Sequence, residues 1–307
     1  MNKPKLNPYL MLAIGALAVS SSAVLVKLAN APAPVTAFYR LFFSVIIMLP
    51  LFVWKYRKEL RLISKRDWLF SVISGVFLAL HFILWFESLA YTSVTSSTVL
   101  VAMQPVFAFI GTYLLFKEKI SLGAILSTVL ALGGSLIISW GDFQISGMAL
   151  YGDLLAIISC VIVTVYYLFG QTVRKRLSLV TYTFVVYTIS TITLFLYVVI
   201  LQYPLFNYTS SDWTYFILLA IVPTLLGHTL FNWSLKWVST STISVSILFE
   251  PVGAAILAYF ILAEKILFTQ VIGGVIIVVG IWLYSIGERK RNRELKLKLK
   301  LSEQSAS

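Results

Sequence analysis

The chain has 307 residues, of which 59% are hydrophobic and 12% charged, with a formal net charge of +12 and a mean hydropathy of +0.92. A soluble domain keeps roughly a quarter of its residues charged, so this composition excludes a surface that faces water throughout. The cations sit in gaps between apolar runs, which points to a membrane rather than to nucleic acid, and the lone Cys160 excludes an intrachain disulfide.

Ten apolar runs follow one another, at 8–29, 34–54, 68–91, 95–115, 121–140, 150–170, 179–201, 212–236, 241–262 and 268–286. A hydrocarbon core ~30 Å thick needs about 20 helical residues at 1.5 Å each. Helices are the only open-chain way across it, because unpaired backbone groups are too costly in lipid. The predicted class is therefore an all-α integral membrane protein with ten transmembrane helices.

The first run starts after Lys3 and Lys5 and ends at Ala29-Asn30-Ala31, which has the small-x-small look of a signal-peptidase site. The run is longer than a usual signal core and Pro32 follows at once, so it reads as a retained span. In the second run Arg40 shares a face with Thr36 and Ser44, as a cavity residue favouring anionic or zwitterionic substrates or as a side chain snorkelling to the interface. Lys27 and Glu87 read as interfacial. The basic stretch KYRKELRLISKRD reads as a gap. The third run places His81, Trp85 and Ser88 on one face.

The fourth run contains VAMQPVF and the ninth ILFEPVG. Each sets a polar side chain, Gln104 or Glu250, directly before a proline, Pro105 or Pro251. Proline removes a backbone donor and frees the carbonyl four residues earlier, here that of Val101 or Ile247. Both sites read as hinges with polar heads, and the plain alternative is a capped structural kink. Thr242, Ser246 and Glu250 are spaced by four and would form one polar stripe. A charge at mid-membrane costs about 2.5–3.5 kcal/mol on insertion scales and so tends to face a cavity.

The sixth run offers Cys160, Thr164, Tyr167 and Gln171 on one face, and the seventh Thr183, Tyr187 and Ser190. The eighth places Thr224, His228 and Asn232 on one face, just after the hinge candidate Pro223. The two histidines could carry protons or bind a carboxylate, although a buried imidazole is commonly just hydrogen-bonded. Residues 288–307 read as a basic, disordered, solubilising tail, with attraction to an anionic leaflet as the alternative. With the N-terminus inside, 21 of the 24 Lys and Arg fall in the inner gaps and the outer gaps hold only Lys265. That bias predicts both termini in the cytoplasm.

Sliding the sequence by 146 positions makes the prolines coincide. WFESLAYTSVTSSTVLVAMQPVFAFIGTYLLFKEKI falls on FNWSLKWVSTSTISVSILFEPVGAAILAYFILAEKI without a gap. Ser88 meets Ser234, Ser93 meets Ser239, Tyr113 meets Tyr259, and Glu118-Lys119-Ile120 meets Glu264-Lys265-Ile266. Ser127, Gly134 and Gly141 fall on Gly273, Gly280 and Gly287, a small-residue stripe for close packing. His81 falls on Gly227 and Arg40 near Val186, so those polar groups are not repeated. Two repeats are expected, at 8–141 and 148–287, and five spans each make the second copy enter from the opposite side. Inverted halves can open a shared central site to either side in turn.

The two five-helix halves and the motifs SLAYTSVTSSTVLVAMQPVF…LLFKEKI and SILFEPVGAAILAYFILAEKI resemble the EamA-type transporters of the drug/metabolite transporter superfamily, over residues 8 to 287. The resemblance implies a basket of ten helices with a central cavity lined mainly by helices 1–4 and 6–9, and helices 5 and 10 outside it. It also implies export or exchange of small metabolites, amino acids among them.

The function expected is secondary transport by alternating access, outward in direction, with protons as the candidate coupling ion, no cofactor and no metal. The candidate substrate or coupling residues are Glu250, Gln104, His81, His228, Trp85, Asn232, Arg40 and Ser246, with hinges at Pro105, Pro251 and Pro223. An integral-membrane enzyme acting on lipids fits less well, since the sequence has no metal-spaced cluster, nucleophile–base pair or phosphate-binding glycine loop. A passive channel stays open as a rival, and monomer and homodimer are both open.

Overall fold

The computed structural model describes residues 4, 6–92, 94–139, 147–263 and 267–305. Lys3, Lys5, Ser93, Gly141 and Glu264–Ile266 lie outside the described residues. Ten helical spans succeed one another. They are α1 (Pro8–Val19 and Ser22–Leu28), α2 (Ala33–Leu51, continued by a π-turn and a 3₁₀ stretch to Leu62), α3 (Lys65–Tyr91), α4 (Val94–Val101 and Gln104–Phe116) and α5 (Leu122–Ser139). The second half holds α6 (Gly147–Val173), α7 (Leu179–Ile200), α8 (Ser210–Ser234), α9 (Thr240–Ile247 and Glu250–Leu262) and α10 (Phe268–Ser305). Among the described residues nine are long and apolar enough to cross a membrane, and the apolar part of α5, Leu122–Ile137, is shorter.

Local chemistry sets the starts and stops. Ser64, Ser178, Thr209 and Ser239 cap α3, α7, α8 and α9, each side chain accepting one of the four backbone N–H groups that a helix's first turn leaves without a partner. The ends of α4 and α9 are matched: Lys117 and Ala263, 146 apart, both take a left-handed φ, at 54° and 56°.

Two expectations are corrected. The basic stretch read as a gap is helical as far as Leu62, and α10 runs on through the predicted tail to Ser305. Lys, Arg, Glu and Leu are good helix formers. Charge ends the apolar span there, but neither glycine nor proline ends the helix.

The equivalent helices α2 and α7, α4 and α9, and α5 and α10 pack against each other and run antiparallel. Phe38 lies 5.7 Å from Phe195 and Phe52 stacks on Phe184 at 3.9 Å, so α2 and α7 run in opposite senses. The early piece of α9 packs on the late piece of α4 and the late piece of α9 on the early piece of α4, with Thr112 Oγ1 2.8 Å from Ser241 Oγ. In α5 and α10, a Cβ at Gly134 would sit 2.7 Å from the Gly273 carbonyl, and one at Gly280 would sit 2.8 Å from Ala131 N. Only glycine lets these backbones come so close. Other pairings exchange when the halves are swapped, α3 with α6 for α8 with α1 and α3 with α7 for α8 with α2. This pattern is what a pseudo-two-fold axis in the membrane plane produces. The repeats are inverted, and Leu, Ile, Val and Phe side chains cover the outward surface.

Candidate functional site

The axis passes through a narrow central cavity of about 20 Å³, room for about one water molecule. Six helices line it with two residues each: Val19 and Ser22 of α1, His81 and Trp85 of α3, Val101 and Gln104 of α4, then Val163 and Tyr167 of α6, His228 and Phe231 of α8, Ile247 and Glu250 of α9. Three of these pairings keep the repeat offset of 146: Trp85 with Phe231, Val101 with Ile247, Gln104 with Glu250. All twelve residues are buried. Helices α5 and α10 stay outside it, and α2 and α7 stand behind the lining rather than in it.

Both lines of the VAMQPVF and ILFEPVG motifs end here. α4 is interrupted at Ala102-Met103 and α9 at Leu248-Phe249, where tighter turns form from Met103 N–H to the Leu100 carbonyl and from Phe249 N–H to the Ser246 carbonyl. Gln104 and Glu250 open the second piece of each helix, with Pro105 and Pro251 in its first turn, where a missing N–H does no harm. A half-helix N-terminus carries the positive end of its dipole, which suits a carboxylate or an anionic ligand group. α1 is interrupted too, at Ser20-Ser21, whose hydroxyls donate to the carbonyls of Ala16 and Ala18. Gly253 of α9 packs directly on Ser20.

Arg40 does not snorkel. It is fully buried, and its Nε donates to Thr224 Oγ1 and its Nη1 to Ser22 Oγ, both at 2.7 Å. The guanidinium lies over Phe82, 4.2 Å from the ring centre. Thr224 in turn donates to the Leu219 carbonyl at 2.8 Å, the acceptor that Pro223 strips of its helical donor. α8 widens into a π-turn over Ala220–His228 at this point. Through Ser22 the cation reaches the cavity wall. Among the described residues no carboxylate lies within ion-pair distance of Arg40 and no cation within ion-pair distance of Glu250. Arg40 Nη2, Trp85 Nε1 and Gln104 Oε1 are buried with no protein partner among the described residues.

The histidines occupy separate settings on the same wall. His81 Nδ1 is 2.7 Å from Ser159 Oγ and 3.2 Å from the Ser159 carbonyl. A carbonyl only accepts, so the neutral ring carries its proton on Nδ1. His228 Nδ1 is 3.2 Å from the Tyr167 hydroxyl.

Other expected residues are placed elsewhere. Asn232 is buried behind the cavity, donating to the Tyr166 hydroxyl and the His228 carbonyl. Ser246 donates to the Thr242 carbonyl and faces an outer groove with Tyr9 and Arg289. The stripe of Thr242, Ser246 and Glu250 therefore does not exist as one face, because the interruption at Leu248 resets the helix between the second and third members. Tyr167 lines the cavity, whereas Cys160 is packing and Gln171 accepts from the N–H and hydroxyl of Thr240.

Sequence reasoning missed the polar contacts between the connections. Arg174 donates to the carbonyls of Asn232 and Leu177, and burial lowers its pKa to about 10. Arg176 is held above the usual arginine value by the Asp67 carboxylate beside it. No sequence motif marks either residue, since the partners are distant in the chain.

Known proteins give the same picture. The EamA-like transporter family matches residues 6–140 and again 150–286. A Bacillus subtilis protein named uncharacterized transporter YetK is 27% identical over 306 residues, covering 94% of this chain and 89% of that protein. An uncharacterized transporter of Archaeoglobus fulgidus is 25% identical over 244 residues, covering 80% and 83%. A solved crystal structure shares the fold, with a TM-score of 0.74 and 16% identity over 92% of this chain and 98% of that one. Two matched repeats, antiparallel equivalent helices and a buried site on their axis lead to one conclusion: the chain is a multi-pass membrane transporter and belongs to the EamA-like transporter family.

Proposed function

We propose that the chain is a secondary transporter that works by alternating access and carries a small metabolite out of the cell, with amino acids and related compounds as the leading class. The observation that carries this reading is a single buried cavity walled equally by two inverted halves. A passive pore has no need of a buried cavity, and a lipid enzyme has no need of a site on the axis. The lysine and arginine bias supports cytoplasmic termini, and the offset of 146 supports two five-helix units at 8–141 and 148–287.

The chemistry supports the substrate class. Among the described residues Arg40, behind the wall at Ser22, offers a guanidinium N–H with no protein acceptor, and Glu250, on the wall, offers a carboxylate with no cation within ion-pair distance. A molecule with a carboxylate at one end and an ammonium at the other would satisfy both. Trp85 and Phe231 supply the apolar remainder of the wall. Glu250 is also the candidate proton carrier for coupling.

Metabolite profiling of medium from cells that overproduce or lack the chain tests cargo and direction together. An exported zwitterion accumulates outside overproducing cells; an unchanged profile refutes export. Counterflow in proteoliposomes then separates a carrier, which saturates and exchanges, from a channel, which does not. In the same vesicles Glu250→Gln is expected to abolish dependence on a pH gradient while counterflow persists. Retained dependence would remove Glu250 from coupling.

A further inference from the structure

Two helix N-caps stand at corresponding places in the two halves, 145 positions apart, and the second is a capping box. Ser64-Lys65-Arg66-Asp67 opens α3 and Thr209-Ser210-Ser211-Asp212 opens α8, and each hydroxyl accepts the N–H of its aspartate. Both aspartates are buried. A carboxylate has about four acceptor sites, so each has capacity beyond its own cap. That capacity reaches across to the other half.

Asp67 takes Arg176 Nε–H at 3.0 Å to both oxygens, and a second N–H of the same guanidinium. Asp212 Oδ1 takes the backbone N–H of Asn30 at 2.8 Å. Arg176 joins α6 to α7 and Asn30 joins α1 to α2, and the two are 146 apart, the offset of the repeat itself. A second pair of contacts keeps the offset in its acceptors but not in its donors. Glu59 accepts from Ser178 N–H at 2.7 Å and from the hydroxyls of Ser178 and Thr181 at 2.5 Å. The Leu205 carbonyl, 146 positions after Glu59, accepts from the Tyr39 hydroxyl at 2.5 Å.

We propose that these are the two gates of the transport cycle, the Asp67–Arg176 and Glu59 contacts closing one face and the Asp212–Asn30 and Tyr39–Leu205 contacts closing the other. This rests on the alternating-access reading above. Both gates are shut here, as the buried cavity requires. They correspond in position and differ in chemistry. The Arg176 gate is ionic, and its arginine side chain is 47% exposed, so dissolved salt screens it. The Asn30 gate pairs a carboxylate with a backbone N–H and has no countercharge, and it lies under an aromatic lid, with Tyr39 stacked on Phe216 at 5.0 Å and edge-on to Trp213 at 4.8 Å. Salt therefore favours opening on the Arg176 face, the face the basic gaps assign to the cytoplasm.

The test uses the full chain in liposomes of either orientation, with Cys160→Ser and a reporter Ile247→Cys in the cavity wall. A membrane-impermeant thiol reagent is applied to one face at a time. Asp67→Asn or Arg176→Gln is expected to speed labelling from the Arg176 face about tenfold, the weight of one lost charge-assisted hydrogen bond, and to slow it from the Asn30 face. Added salt should speed labelling of the otherwise unmutated protein from the Arg176 face and leave these variants unmoved. Asp212→Asn keeps an acceptor for Asn30 N–H and should leave both rates in place. Arg176 is exposed, so its variant keeps the test open should the Asp67 one not fold. Unaltered rates in both variants, with labelling from one face still excluding the other, would overturn the gates and spare alternating access. Rates rising together on both faces would overturn alternating access itself.

Discussion

Thr224→Val is the sharpest probe of the buried cation. Valine keeps the shape of threonine and deletes the hydroxyl, which accepts from Arg40 Nε at 2.7 Å and donates to the Leu219 carbonyl at 2.8 Å. A hydrogen bond to a charged group is worth about 1.5–3 kcal/mol and an ordinary one about 1 kcal/mol, so the variant should lose roughly 2–4 kcal/mol. Arg40→Met behaves differently. It removes a guanidinium that has no carboxylate within reach among the described residues, and replacing a buried ion by an apolar side chain is often neutral or stabilising. It should hold or raise stability while abolishing export. In the double variant only the ~1 kcal/mol of the Leu219 contact remains to be lost, which leaves a coupling of about 1.5–3 kcal/mol. Reversible unfolding in mixed micelles measures the cycle, and medium profiling measures export. Equal damage by Thr224→Val in both backgrounds would refute the contact. An Arg40→Met protein that exports normally would refute the role of the cation.

Gly253→Ala would place a Cβ 2.2 Å from Ser20 Oγ and 2.5 Å from Ser20 Cβ, where the interruptions of α1 and α9 cross. Overpacking of this kind costs about 1–3 kcal/mol, and adding Ser20→Gly should recover most of it in thermal melts; no recovery would place the strain elsewhere. Ala263 holds a left-handed φ of 56° at the end of α9. Ala263→Gly should raise stability by about 1 kcal/mol, and a loss would mean the methyl packs usefully.

Much of this was written in the sequence, because hydropathy and repetition are local signals. The ten runs, the offset of 146 and the prolines after Gln104 and Glu250 fix the spans, the inversion and the two central interruptions. What escaped depends on contacts between distant residues. Arg40 looked able to snorkel because its acceptors, Ser22 and Thr224, lie 18 and 184 positions away. Ser246 seemed to share a face with Glu250 because a spacing of four assumes an unbroken helix, and the proline that marks the hinge is what breaks it. The helical continuations to Leu62 and Ser305 were hidden for another reason: hydropathy reports where lipid ends, and helix-forming charged residues carry the backbone on.

The scaffold at the centre is symmetric and the chemistry is not, which allows a last test. Gln104 and Glu250 are 146 apart, begin equivalent half-helices and line the same cavity, so the axis carries one position onto the other. Arg40 has no such twin, since position 186 is a buried valine. Exchanging the heads, by Gln104→Glu with Glu250→Gln, keeps the volume and the net charge of the cavity and moves the carboxylate to the other half. Each half-helix presents the same positive dipole end to its first residue, so the relocated carboxylate meets an equivalent backbone. Dependence on a pH gradient, lost in Glu250→Gln, should return in the exchanged protein. The orientation of a zwitterion is another matter, because Arg40 stays where it was; affinity should fall even as coupling recovers, and counterflow reads the two separately. An exchanged protein indistinguishable from Glu250→Gln would mean that the carboxylate acts through contacts peculiar to α9, and that the symmetry of the cavity is one of shape alone.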